Sequence, residues 1–153
     1  MITEHTLAID SVPYADCDPS GFAHHTRLIE YCERARIALF AVNGMTITKA
    51  LSWGYYIATG KVSASYHRPV RPGDDVVIFS EVKHINTLKI VTRHDVRVAE
   101  QLAATVECTT VFLDEFLKPR QLPEEAWSGD WNAEAVENLN ALLSSPGQQD
   151  ANA

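Results

Sequence analysis

From Thr26 onward, apolar residues recur at Leu28, Cys32, Ala35, Leu39 and Val42. These offsets of three and four line one face of a helix. Asn43-Gly44 is the stop, because glycine tolerates the left-handed conformation of a helix cap. A helix over about residues 25–43 follows, and its thick apolar run Ile37-Ala38-Leu39-Phe40-Ala41-Val42 predicts burial by a sheet. Past the helix the period changes to two. Gly54 to Thr59 leads into Lys61 to Tyr66, where Val62, Ala64 and Tyr66 alternate with polar residues. Pro72-Gly73 suits a type II turn, and Asp75 to Ile85 is a Val/Ile-rich strand that Asn86-Thr87 breaks. In Lys89 to Val98, Ile90, Thr92, His94, Val96 and Val98 share one face. Ala99-Glu100 reads as a turn before a last strand, Gln101 to Leu113. One long helix followed by successive strands predicts an α+β domain, an antiparallel sheet wrapped round a helix.

The C-terminal stretch has another character. Glu124 to Trp131 suits a turn or short helix, and residues 127–144 read as a helical appendage with Val136, Leu139 and Leu143 near one face. Residues 145–153 carry no large apolar side chain and are expected to be a mobile tail.

Composition narrows the function without naming it. A chain of 153 residues is read as one domain with a sizeable core. The net charge of −7 opposes non-specific nucleic-acid binding, and no apolar run is long enough to span a bilayer. Three cysteines without a metal-type spacing, and no signal-type core after Met1, suggest a reduced, cytoplasmic setting.

The chemistry concentrates between Tyr14 and Arg36. A β-like, strand-type approach ends in two carboxylates, Asp16 and Asp18; Asp18-Pro19-Ser20-Gly21 matches a type I turn, and a helix that opens with His24-His25 follows. The first N–H groups of that helix have no helical acceptor and point back at the turn. A carboxylate beside backbone donors is what attack on a carbonyl requires. On the turn alone, Asp18 reads first as a residue bonding its own backbone. Asp16 suits an orienting or solvated role, and the His25 ring suits either catalysis or solvation. Cys17 lies between two carboxylates, which raise its pKa, and Cys32 lies on the buried stripe, so neither reads as a nucleophile. Ser20 has no evident base. Adjacent His24 and His25 point about 100° apart on a helix, and with no third ligand a metal site is not expected. Glu33, Arg34 and Arg36 suit salt bridges. Trp53, Tyr55 and Tyr56 suit either an aromatic pocket or the core.

The pattern Tyr-x-Asp-x-Asp-x-x-Gly-x-x-x-His at residues 14–25, with Glu33-x-Ala35-Arg36, resembles the 4-hydroxybenzoyl-CoA thioesterase family, in its YbgC-like branch. Tyr66-His67-Arg68-Pro69-Val70-Arg71-Pro72-Gly73-Asp74 and Leu117-Lys118-Pro119-Arg120-Gln121-Leu122-Pro123 are similar to further segments of it. The resemblance spans roughly residues 5–126 and implies a hotdog domain over 1–126, with a five- to six-stranded sheet round the central helix. It implies an acyl-CoA thioesterase that needs no cofactor, with Asp18 as nucleophile or general base and the backbone N–H near His25 as oxyanion donor. Gly21 would touch substrate. Thr59, Lys61 and Ser63 would face Asp18 from a second subunit of a homodimer or homotetramer. Asn86 and Lys89, in the turn Lys83 to Lys89, stand where relatives grip the coenzyme A phosphates. That turn is poorer in arginine than in some relatives, which leaves acyl carrier protein open as the carrier. A hotdog dehydratase and a non-catalytic acyl-carrier-binding protein are the alternatives.

Overall fold

A computed structural model describes residues 2–122. The appendage over 127–144 and the tail over 145–153 lie outside the described residues. The elements are β1 (Glu4–Ile9), a single 3₁₀ turn (Tyr14–Asp16), α1 (His25–Val42), α2 (Ile47–Ser52), β2 (Tyr56–Tyr66), β3 (Val76–Ile85), β4 (Lys89–Val98) and β5 (Gln101–Leu113). The five strands form one antiparallel sheet in the order β1-β3-β4-β5-β2. Since β1 and β2 are opposite edges, α1 carries the chain from one edge to the other across the sheet, a hotdog arrangement.

Local chemistry sets the ends of α1. His24 is its N-cap, and its ring Nδ1 accepts from Thr26 N. At the other end Gly44 takes φ +85°. Gly44 N donates to Ala41 O and Met45 N to Phe40 O, at 2.9 and 3.0 Å. This is a Schellman cap, sealed by Met45 and Phe40 in one apolar cluster.

Alternation in β4 is borne out: Ile90, Thr92, His94 and Val96 are all buried. Ala99 and Glu100 both take positive φ (49° and 64°) in the β4–β5 turn, the geometry of a two-residue hairpin. Two readings are corrected, one element is added and one open choice is resolved. The approach to Asp16 is a 3₁₀ turn and not a strand, with Asp16 N on Pro13 O and Cys17 N on Tyr14 O. The apolar run 37–42 is buried only at Leu39 and Phe40, and Val42 is exposed because the last turn of α1 passes the core. Helix α2, capped by Thr46 Oγ1 on Lys49 N at 3.1 Å, was not anticipated. Trp53 and Tyr55 are core residues that precede β2, whereas Tyr56 is exposed.

The buried face divides into two apolar clusters. One gathers Leu28, Tyr31, Cys32 and Ala35 of α1 with Ile78, Val96 and Val106. The other gathers Phe40, Met45, Trp53, Tyr55, Ile90 and Phe112. Along each element a polar residue falls between them: Arg36 on α1, Ser80 on β3, Thr92 and His94 on β4, and Thr110 on β5, all buried. Three side-chain contacts join these members. Ser80 Oγ lies 2.7 Å from His94 Nδ1, Thr92 Oγ1 lies 3.0 Å from His94 Nε2, and Arg36 Nη1 donates to Thr110 Oγ1 at 2.7 Å. A buried polar group without such partners would be costly.

Candidate active site

Residues 17–23 form a small hairpin closed by a Cys17–Ala23 bridge and by Asp18 N on Phe22 O at 3.0 Å. Its tip is the expected turn, with Gly21 N donating to Asp18 O at 2.9 Å. Gly21 takes φ +86°, a conformation L side chains rarely adopt, beside open space. Ala23 N on Val70 O (2.7 Å), Val12 N on Asp74 O (2.9 Å) and Gly73 N on Val12 O (2.8 Å) pin the flanks to the segment before β3. The hairpin is thereby held at the mouth of α1.

Asp18 uses one carboxylate oxygen within the turn. Its Oδ1 accepts from Ser20 N at 2.8 Å and from the Ser20 hydroxyl. The Ser20 hydroxyl thus serves as an anchor for the Asp18 carboxylate. The second oxygen, Oδ2, has no partner among the described residues. The Ser20 hydroxyl and then the Ser20 N–H hold the Asp18 carboxyl below the usual carboxylate range against desolvation, with smaller help from the neighbouring His24 and His25. Asp18 is anchored, ionised and half free.

Asp16 has the orienting role. It accepts from the Tyr31 hydroxyl, its carboxylate lies 3.6 Å from Arg27 Nε, and its carbonyl accepts from His24 N at 2.8 Å. Desolvation and the bond to Asp16 raise the Tyr31 pKa. Tyr31 and Arg27 were missed by the sequence reading. Tyr31 carried a signal, because a tyrosine three residues after Leu28 on a buried stripe brings a hydroxyl that needs a partner. Partial burial, then Asp16 and Asp18, raise the Cys17 thiol, and burial pushes Cys32 up to about 12, as expected of inert thiols.

The mouth of α1 differs from expectation in one donor. His24 N is already taken by Asp16, Thr26 N by the His24 ring and Arg27 N by His24 O. The N–H of His25 has no acceptor among the described residues. The His25 ring is exposed, stacks on His24 at 4.3 Å and meets Tyr66 edge-on at 6.1 Å. Tyr66, on β2, donates its hydroxyl to His25 O at 2.9 Å.

Within one chain, Asp18, Gly21 and His25 come together and the remaining candidates do not. Thr59, Lys61 and Ser63 lie exposed along edge strand β2, on either side of a bulge at Gly60. Asn86 and Lys89 lie beyond the far end of β3, whose ten residues span about 30 Å from the hairpin end. Asn86 Oδ1 accepts from Leu88 N and Lys89 N at 2.9 and 3.0 Å, so that side chain builds its own turn. Glu33 and Arg36 form the expected ion pair, Oε1 to Nη2 at 3.3 Å.

Among the described residues, no group of three His, Cys, Asp or Glu gathers as a metal site, and no helix is long and apolar enough to cross a membrane. A family model described as the thioesterase-like superfamily matches residues 12–126. No curated protein matches the chain in sequence. Among solved structures, a DHNA-CoA thioesterase from Staphylococcus aureus is 20% identical with a TM-score of 0.77, over 92% of this chain and 93% of its own. A 1,4-dihydroxy-2-naphthoyl-CoA thioesterase from Synechocystis is 18% identical with a TM-score of 0.73, over 90% and 98%. At these identities the likeness is one of fold.

Proposed function

The chain belongs to the thioesterase-like superfamily, and from that premise we propose that it hydrolyses acyl-CoA thioesters, with Asp18 as the reacting carboxylate. The observation that carries this reading is the half-anchored Asp18 at the mouth of α1. One oxygen is fixed by Ser20, and neither the other oxygen nor the His25 N–H at the start of α1 has a partner among the described residues. The thioester carbonyl docks with its oxygen toward that N–H, where the helix dipole favours the developing negative charge. Asp18 Oδ2 then follows one of two routes. It adds to the carbonyl carbon and expels the thiolate, and water cleaves the resulting anhydride. Or it takes a proton from water as that water adds, and the thiolate leaves. Either way water and thioester become carboxylic acid and thiol.

The His25 ring and Gly21 are assigned to substrate positioning at the same mouth. A second copy of the chain completes the site. Edge strand β2 presents Lys61 and Ser63 on its outer face and Thr59 toward α1, and pairing two such edges antiparallel carries the far end of one subunit toward the hairpin of the other. Asn86 and Lys89 reach the coenzyme A phosphates only in such an assembly, with acyl carrier protein as the other carrier they would serve.

The test is a free-thiol assay over a panel of acyl-CoAs with wild type and Asp18→Asn. Loss of a general base costs about a hundredfold or more in turnover. A folded Asp18→Asn protein with near-wild-type turnover would end the assignment. A wild type inert on every acyl-CoA would end the proposed activity.

A further inference from the structure

Two cavities lie along α1, and both are lined by Glu33 and Arg36. The first, about 40 Å³, also touches Ile29, Cys32, Val62 and Val106. The second, about 80 Å³, also touches Ile37, Phe40, Met45 and Ile57. The order along the helix is therefore Ile29, the ion pair, then Phe40, and along β2 it is Val62 and then Ile57, as one groove between the two elements requires. Ile29 lies about 6 Å along the axis from His25 and Arg36 about 16 Å. The groove starts one turn from the proposed oxyanion donor, and the pair crosses it partway.

Resting on the thioesterase reading, we propose that the Glu33–Arg36 pair is a length gate in an acyl groove, confining the enzyme to acyl groups of a few carbons. The chamber before the pair holds about three water-sized groups. Ile29, Cys32, Val62, Val106 and Cys108 give it a largely apolar wall beside Thr59 and His94, which suits a short aliphatic chain. The gate is held from behind, because Arg36 is buried, donates to Thr110 Oγ1 at 2.7 Å and lies 6.0 Å from the centre of the Phe40 ring. Its counter-charge is less constrained. The Glu33 side chain is 55% exposed, and Arg36 Nε is buried with no hydrogen-bond partner among the described residues. Pushing an alkyl chain past the pair separates Arg36 from Glu33 and leaves a buried cation uncompensated. Removing either side chain joins the two chambers.

The experiment compares kcat/KM for saturated acyl-CoAs from acetyl to palmitoyl in wild type, Arg36→Met and Glu33→Ala. The wild type is expected to favour the short members, by at least about tenfold over decanoyl-CoA. Arg36→Met moves the optimum to longer chains. Glu33→Ala moves it the same way and serves where Arg36→Met does not fold. A structural role for the pair would lower all lengths alike, so an unchanged length profile in a folded variant overturns the gate, as does a wild type that prefers long chains. Equilibrium binding of butanoyl-CoA and decanoyl-CoA in an Asp18→Asn background reads the same preference without turnover. A length preference there that Arg36→Met relaxes, with no hydrolysis by wild type, keeps the gate and sinks the hydrolase reading. Equal binding of both lengths by the gated protein overturns the gate.

Discussion

Acid should destabilise this protein through one buried imidazole. His94 is 1% exposed, and both of its ring nitrogens are engaged, Nδ1 with Ser80 Oγ and Nε2 with Thr92 Oγ1. Arg36 and Cys32 approach from α1, Cys108 and Val106 line the same cavity from β5, and Asp95 follows on its own strand. Burial first and the Arg36 cation second lower the His94 pKa from 6.5 to about 4, while Asp95 opposes them weakly. The native state thus keeps His94 neutral where the unfolded chain takes up a proton. Its contribution is complete above pH 6.5 and is lost as pH falls toward 4. At about 1.4 kcal/mol per pH unit, the full shift is worth about 3 kcal/mol, of which about 2 kcal/mol is gone by pH 5. Urea unfolding at pH 7.5, 6 and 5, at one protein concentration, measures the loss. His94→Gln keeps a donor and an acceptor but cannot titrate. The difference between the two proteins isolates His94 from the carboxylates. Parallel pH profiles down to pH 5 would refute a neutral, desolvated His94.

Two further outcomes are expected. Ser20→Ala removes the largest influence lowering the Asp18 pKa, so the acidic limb of the kcat/KM profile should move to higher pH, and a limb that stays in place would separate Asp18 from catalysis. The 17.0 kDa chain should behave as a dimer or tetramer in light scattering, and a fully active monomer would contradict a site completed by a second copy.

The elements that repeat a local period were legible in the residues. The stripe on α1 and its Asn43-Gly44 stop, the alternation of β4 and the Asp18–Gly21 turn each depend on contacts within a few positions of chain. Such features need no knowledge of what lies across the molecule. Helix α2 was missed because six residues are too few to show a period, and its Thr46 cap was the available signal. The 3₁₀ turn at Tyr14–Asp16 was read as strand because its bonds are fixed by Pro13 and by what Asp16 later meets.

At the site, Asp18, Gly21 and His25 could be named from sequence because one hairpin and one helix start hold them together. The rest depends on long-range pairing. Asp16 finds Tyr31 fifteen residues on, and Arg36 finds Thr110 across 74. Ser80 stands opposite His94, and both share a buried face with Thr110, only because β3, β4 and β5 pair in this register. A register shift of one residue would turn each of them to the other face. By itself, the sequence determined the helix, most of the strands and the Asp18–Gly21 turn, since backbone sterics and side-chain period act locally. Tertiary structure alone decided the strand order, the polar row and the groove crossed by Glu33 and Arg36, because those arise where distant segments exclude water together and each buried polar group must find its partner there.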